Sequence, residues 1–123
     1  MLKEILLVGT GGFAGSVCRY LAAMGIASLG CSSTAFPVAT FTVNALGSLL
    51  IGFLMSAASN NWLILLAVVG FCGGFTTFST FSAETLAMLR AGQWAMGGGY
   101  ILLSVVVCVA AVAAGMWIGK NIL

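Results

Sequence analysis

The sequence contains no histidine and only two acidic residues, Glu4 and Glu84, in 123 positions. The groups that usually carry acid-base and covalent catalysis, a carboxylate pair or a nucleophile beside a base, are therefore missing. The four basic residues give a formal net charge of only +2, which is too sparse for a nucleic-acid surface. We expect neither an enzyme nor a nucleic-acid-binding protein, and we assign no catalytic residue.

The chain also lacks any ordered spacing of its four cysteines, Cys18, Cys31, Cys72 and Cys108. Metal-binding and redox cysteines come in characteristic close pairs, and none is present here. We interpret these residues as small, polarizable side chains in apolar surroundings.

Hydrophobic residues make up 62% of the chain, against 5% that are charged. A water-facing domain of this size does not tolerate that balance, so lipid is the main solvent. A bilayer core is about 30 Å thick and needs about 20 apolar residues per helix, so this length holds four spans. We predict one all-α membrane domain over residues 1–123, with four transmembrane helices at about 5–24, 38–57, 62–89 and 94–118.

Basic residues are balanced across the predicted membrane. Four spans put both termini on one side with Lys3 and Lys120, while Arg19 and Arg90 lie toward the other. Because an excess of Lys and Arg on one side sets the orientation of a membrane protein, this balance hardly favours one direction of insertion over the other. We therefore hypothesise dual topology, with copies inserted both ways that pair as an antiparallel homodimer.

Small residues recur every four positions in two spans, at Gly11 and Gly15 and again at Ala111, Gly115 and Gly119. This spacing lets helix backbones approach closely in membranes. Packing within one chain and packing between two copies are both consistent with it, and the sequence leaves that choice open.

The third span is polar where a lipid-facing helix is usually apolar, and it contains the pair Gly73 and Gly74. From Trp62 to Gly73 the helical rise covers about 17 Å, so the pair falls near the middle of a bilayer. An extended break there would free backbone carbonyls, which are typical sodium ligands in interrupted membrane helices. The alternative is a simple kink relieved by nearby hydroxyl groups.

Neutral polar residues form stripes in three spans. Thr40, Asn44 and Ser48 are spaced by four, as are Tyr100, Ser104 and Cys108, while Phe78 with Phe81 and Thr77 with Thr80 are spaced by three. An unpaired amide or hydroxyl in hydrocarbon is costly, so the stripes are expected to face each other or a polar guest. For the single Ser and Thr residues we favour bonds within the protein, because hydroxyl groups commonly bond a nearby backbone carbonyl, and Asn44 is the strongest candidate for contact with a guest.

A cation path would be expected to carry acidic residues in mid-span, so neutral donors favour an anion. The positive edges of phenyl rings supplement the donors without a full charge that would trap the ion. Arg19 either draws anions to a vestibule or extends to the headgroups. Glu84 is expected to meet Thr80, to cap a connector or to pair with Arg90.

The chain resembles the Fluc family of small fluoride channels, also called CrcB proteins, over essentially its full length. The resemblance rests on the run from Gly73 to Ser82, on Gly11-Gly12 through Gly15 to Arg19-Tyr20, and on Asn44 with Gly47. It implies passive fluoride efflux through a multi-pass protein of the bacterial plasma (inner) membrane, which reduces fluoride toxicity in the cytoplasm.

The resemblance also implies an antiparallel dual-topology homodimer with two fluoride pores and a structural sodium ion at its centre. The sodium ligands correspond to backbone carbonyls of Gly73 and Thr76, and the vestibule arginine to Arg19. Cys108 stands where some relatives use a hydroxyl group. The implied fluoride pathway comprises Asn44, Phe78, Phe81, Thr40, Thr80, Tyr100 and Ser104.

Two other classes of protein compete with this interpretation. A small four-helix drug or cation exporter shares the length and the dual topology, but it needs a carboxylate within span one, and residues 5–24 contain none. A purely structural membrane subunit is the second alternative, and it predicts no ion flux from the purified protein.

Overall fold

The computed structural model describes residues 1–30 and 36–122, and the regular structure in those ranges is entirely helical. Helix α1 spans Leu2–Ser28 and α2 spans Val38–Ala57. The third segment consists of α3, residues 61–75, and α4, Phe78–Arg90, and the last helix, α5, spans Trp94–Ile122. Part of the connector predicted between spans one and two, from Cys31 to Thr34, lies outside the described residues.

Four helical segments in the described ranges are long and apolar enough to cross a membrane, Leu2–Ser28, Val38–Ala57, Asn61–Arg90 and Trp94–Ile122. The predicted all-α class with four spans is thus confirmed. Three of the helical segments extend beyond the predicted spans, because terminal turns continue into less apolar residues such as Lys120. The chain is a multi-pass membrane protein.

Helix α2 packs along α5, and glycines make this approach possible. A Cβ atom on Gly52 would overlap the carbonyl oxygen of Val112, and a Cβ atom on Gly115 would overlap that of Leu49. Both positions are buried. Because the two backbones touch directly, the small-residue stripe of the fourth span packs within the chain at Gly115.

Helix α1 packs against α3 in the same way. A Cβ atom on Gly11 would overlap the carbonyl oxygen of Leu66, and one on Gly15 would overlap that of Phe71. The choice that the sequence left open is therefore settled at these two glycines, which serve packing within one chain. The result is a pair of two-helix layers, α1 with α3 and α2 with α5.

The third segment changes its helical form before it is interrupted. Residues Ile64–Cys72 form a π-helix, and Gly73–Phe75 add a single α-helical turn. The next two residues adopt extended backbone, Thr76 with φ −89° and ψ 156° and Thr77 with φ −147° and ψ 117°. Helix α4 starts at Phe78, and the Thr77 hydroxyl oxygen accepts the N–H of Thr80 at 3.3 Å as its N-cap.

The expectation of extended backbone at Gly73 and Gly74 is wrong, since both residues are helical. Gly74 instead permits a close approach to α1, because a Cβ atom there would lie 2.5 Å from the carbonyl oxygen of Gly12. The extended residues are the two β-branched threonines that follow, whose side chains favour extended backbone and helix caps.

Candidate functional site

A cavity of about 280 Å³ lies between α2, the extended residues, α4 and α5. It brings together Asn44, Ser48, Thr77, Ser104 and Cys108 from the three polar stripes, whereas Thr40, Thr80 and Tyr100 of the same stripes do not line it. No charged side chain is among the described residues that line it. The lining residues are Asn44, Gly47, Ser48, Ile51, Thr76, Thr77, Phe78, Phe81, Ser104, Val105 and Cys108.

Asn44 on α2 holds the extended segment through both ends of its amide. Its Nδ2 donates to the carbonyl oxygen of Thr77 at 3.0 Å, and its Oδ1 accepts the N–H of Thr77 at 2.8 Å. These two bonds replace the helical partners that Thr77 lacks. Because the amide nitrogen carries two hydrogens, one N–H remains available.

Aromatic rings form one wall of the cavity. The centroids of Phe78 and Phe81 lie 5.6 Å apart with their planes tilted by 46°, and Phe81 lies 5.0 Å from Tyr100. Phe78 is 78% exposed in the single chain, whereas Tyr100 is completely buried. The cavity is thus open near Phe78, and its closed end is the side behind Phe81, where the buried Tyr100 lies outside the lining.

At the closed end, Glu84 is the acceptor for two hydroxyl groups. The Thr40 hydroxyl donates to Oε2 at 3.0 Å, and the Tyr100 hydroxyl donates to Oε1 at 3.1 Å. Within the described residues the Glu84 carboxylate bonds Thr40 and Tyr100 and neither Thr80 nor Arg90, so the expectation that it meets one of those two residues is wrong. The sequence does contain one signal for these bonds, since a single carboxylate in an apolar segment needs hydrogen-bond donors.

Ser104 differs from the other hydroxyl residues. Its side chain is 7% exposed, and its Oγ is a buried oxygen without a hydrogen-bond partner among the described residues. It lies one turn after Tyr100 and one turn before Cys108 on α5. Thr40 and Tyr100 donate to Glu84, whereas the hydroxyl hydrogen of Ser104 is uncommitted.

Arg19 on α1 contacts the third segment just before the extended residues. Its Nε donates to the carbonyl oxygen of Gly74 at 3.0 Å, and the side chain is half-buried. One of the five N–H groups of the guanidinium is thereby used, and the Nη groups remain. Arg19 therefore bonds within the protein rather than only extending outward from it.

The carbonyl oxygens of Gly73 and Thr76 fit the predicted sodium ligands in their chemistry. In a continuous helix Gly73 would accept the N–H of Thr77, but that N–H donates to Asn44. Within the described residues no hydrogen bond to either carbonyl is formed, although the Thr76 N–H and hydroxyl group both donate to Cys72. Neutral oxygens of this kind suit a hard monovalent cation.

Four membrane-spanning segments, three of which line a cavity with neutral polar side chains, define a small membrane protein that offers a path for an ion. The chain belongs to the family described as CrcB-like protein, Camphor Resistance (CrcB), whose model matches residues 6–116. It is 48% identical to the "Fluoride-specific ion channel FluC" of Elusimicrobium minutum, with 100% of this chain and 98% of the relative covered.

Two further relatives carry the same name. The protein from Chlorobaculum tepidum is 45% identical, with 98% of this chain and 97% of the relative covered. The protein from Phocaeicola vulgatus is 43% identical, with 97% and 100% covered. Family membership therefore extends over the whole chain, and the predicted resemblance is confirmed.

Proposed function

We propose that this chain is a fluoride-selective channel and not an enzyme. It mediates passive fluoride efflux across a bacterial plasma (inner) membrane and so lowers fluoride toxicity in the cytoplasm. The observation that carries the proposal is the cavity lined by neutral donors and phenyl rings, with no charged side chain among its described lining residues. The names of the relatives in three bacteria support fluoride as the ion.

The proposed ion path begins at the hydrogen-bond donors whose hydrogens have no other partner. Ser104 supplies its uncommitted hydroxyl hydrogen, and Asn44 supplies the N–H that Thr77 does not use. The ring edges of Phe78 and Phe81 carry partial positive charge and complete the wall. Each of these interactions is weak alone, and weak binding at several points favours conduction over trapping.

The remaining pathway residues require an exchange of partners. Thr40 and Tyr100 donate to Glu84, so an anion that uses their hydrogens must compete with a carboxylate. Thr80 accepts from Thr77 and keeps its own hydroxyl hydrogen for the path. We propose that Thr40, Thr80 and Tyr100 contact fluoride after Ser104 has received it.

Arg19 forms a vestibule in this proposal. Its Nε is held by the Gly74 carbonyl oxygen, which fixes the guanidinium next to the extended residues. The Nη groups then attract anions toward the path without entering it. A full charge beside the cavity rather than within it raises the local fluoride concentration.

We further propose that the single four-span domain pairs with a second copy as an antiparallel, dual-topology homodimer with two pores. The exposed Phe78 ring leaves the cavity open on one side, and a second copy would close it. The balance of Lys3 and Lys120 against Arg19 and Arg90 supports insertion in both orientations.

We propose that the same arrangement holds a structural sodium ion at the dimer centre. The Gly73 and Thr76 carbonyl oxygens would hold it, and two carbonyls from each copy would make a fuller set than one chain offers. Sodium would neutralise the repulsion between the carbonyl dipoles that the interrupted helices bring together. Anomalous scattering from a heavier monovalent cation soaked into crystals tests this site, and signal elsewhere or none would contradict it.

The channel function is tested with the purified protein in liposomes loaded with potassium fluoride. After valinomycin is added, a fluoride electrode should record rapid release, whereas liposomes loaded with potassium chloride should retain chloride. Protein-free liposomes are the control. Equal release of both ions would reject selectivity, and no release of either would favour the structural-subunit alternative.

Orientation is tested separately with reporters fused to the C-terminus. Membrane-impermeant labelling should find the C-terminus on both sides of the membrane in comparable amounts. A single orientation would reject the antiparallel dimer while leaving the flux measurement as it stands.

A further inference from the structure

Cys108 lines the cavity, and the other described cysteines do not. It lies on α5, one turn after Ser104, and it is half-exposed. Cys72 is 1% exposed within α3, and Cys18 lies on α1, where it is exposed and away from the cavity. The Cys108 side chain is therefore only partly covered by neighbouring residues.

The second observation is the hydroxyl group of Ser104 beside it. This oxygen is buried and has no hydrogen-bond partner among the described residues, and it lines the same cavity. A buried hydroxyl without a partner is costly, so the position requires a polar guest such as water or an ion. Ser104 and Cys108 line the same cavity one helical turn apart, so a molecule in that cavity lies close to both residues.

We infer that Cys108 is a modification site for small thiol-reactive electrophiles, and that a group attached there closes the proposed path through the cavity by its position. The cavity volume of about 280 Å³ admits such a molecule. The attached group would stand among Ser104, Phe81 and Asn44, where the proposed path runs. The closing step rests on the proposed function, whereas the modification itself does not.

The reaction with methyl methanethiosulfonate illustrates the chemistry. The Cys108 thiol loses its proton to water, and the thiolate attacks the methylthio sulfur of the reagent. A new sulfur–sulfur bond forms, the reagent's own sulfur–sulfur bond breaks, and methanesulfinate leaves with the electron pair. The cysteine is oxidised to a methyl disulfide and the sulfonyl group is reduced to sulfinate. A dithiol reverses the reaction by thiol–disulfide exchange.

The test treats the full-length protein in liposomes with methyl methanethiosulfonate and follows two readouts. Mass spectrometry of peptides should find the methylthio group on Cys108 and not on Cys72. Fluoride efflux should be lost in the same samples and should return after dithiothreitol. Cys108→Ser is the matched control, because its own efflux should not change on treatment. Cys108→Ala serves the same purpose if the serine variant does not fold.

A third variant separates the cavity from general exposure. Ser104→Ala removes the polar group that keeps the cavity hydrated, so the rate of modification at Cys108 should fall several-fold, while Cys18 should react at its former rate. An unmodified Cys108, or an unchanged rate in Ser104→Ala, would overturn the modification site.

Full modification with undiminished efflux would overturn the closing step. If the untreated protein conducts no fluoride, the channel proposal fails, and the mass measurements still decide whether Cys108 is the site.

Discussion

Replacement of Asn44 gives the sharpest test of how the extended segment and the ion path depend on each other. The amide makes two hydrogen bonds to Thr77, at 3.0 Å and 2.8 Å. Removal of both in Asn44→Ala costs about 2 kcal/mol at about 0.5–1.5 kcal/mol for each bond. Because about 1.4 kcal/mol is a factor of ten, the population that holds Thr77 in place falls by about 30-fold relative to its alternatives.

Asn44→Asp differs from Asn44→Ala in a useful way. An aspartate retains an acceptor for the N–H of Thr77 but turns a second oxygen toward the Thr77 carbonyl, where the amide donated. It also places a negative charge at the cavity. We expect Asn44→Asp to abolish fluoride efflux, because the charge repels the anion as well as weakening the segment.

The assay compares fluoride efflux from liposomes with thermal stability measured by size-exclusion chromatography after heating. Asn44→Ala should lose stability and conduct at least about tenfold less fluoride, in line with the free energy above. Asn121→Asp is the matched control, since Asn121 is exposed at the end of α5 and bonds only the Trp117 carbonyl. Undiminished efflux in Asn44→Asp, or wild-type stability in Asn44→Ala, would refute this reasoning.

Two further variants probe the closed end of the cavity and the packing of α1. Glu84→Ala leaves the Thr40 and Tyr100 hydroxyl groups without their acceptor and should lower the stability by about 1–3 kcal/mol for each buried group. Glu84→Gln keeps an acceptor and should lose less stability. Equal melting temperatures of the two variants would contradict this assignment of the bonds. Gly15→Ala forces a Cβ atom onto the Phe71 carbonyl and should reduce the yield of folded protein in size-exclusion chromatography. Gly25→Ala, whose Cβ atom meets nothing within 4 Å, should behave as wild type. Similar yields of the two variants would argue against the tight contact at Gly15.

The number and class of the helices were predictable because they depend on local properties. Apolar runs of sufficient length identify four spans whatever their neighbours are, and the helices confirm all four. The stripes were predictable for a similar reason, since residues four apart share a helix face. The spacing of Asn44 with Ser48, and of Ser104 with Cys108, therefore sufficed to place each pair on one line.

The partners of these residues were not predictable, because they depend on how the helices meet. Glu84 is 44 positions from Thr40 and 16 from Tyr100, and nothing local indicates either bond. The extended residues were misplaced for a related reason. Glycine is compatible with a break in a helix, but Gly74 is needed here because α1 approaches it too closely for a side chain. That contact between helices cannot be seen in the sequence.

Most polar groups of the candidate path already form hydrogen bonds with each other or with neighbouring residues. Asn44 holds Thr77, Thr77 caps α4, and Thr40 and Tyr100 share Glu84. Under the proposed function, an anion therefore meets several donors that already have partners, while the Ser104 and Thr80 hydroxyl hydrogens and one N–H of Asn44 are left over. Each contact with a partnered donor then gains only the difference between two hydrogen bonds, which is small compared with the cost of removing fluoride from water. A path of this kind cannot hold its ion tightly at any one point, and that property is what a passive channel requires.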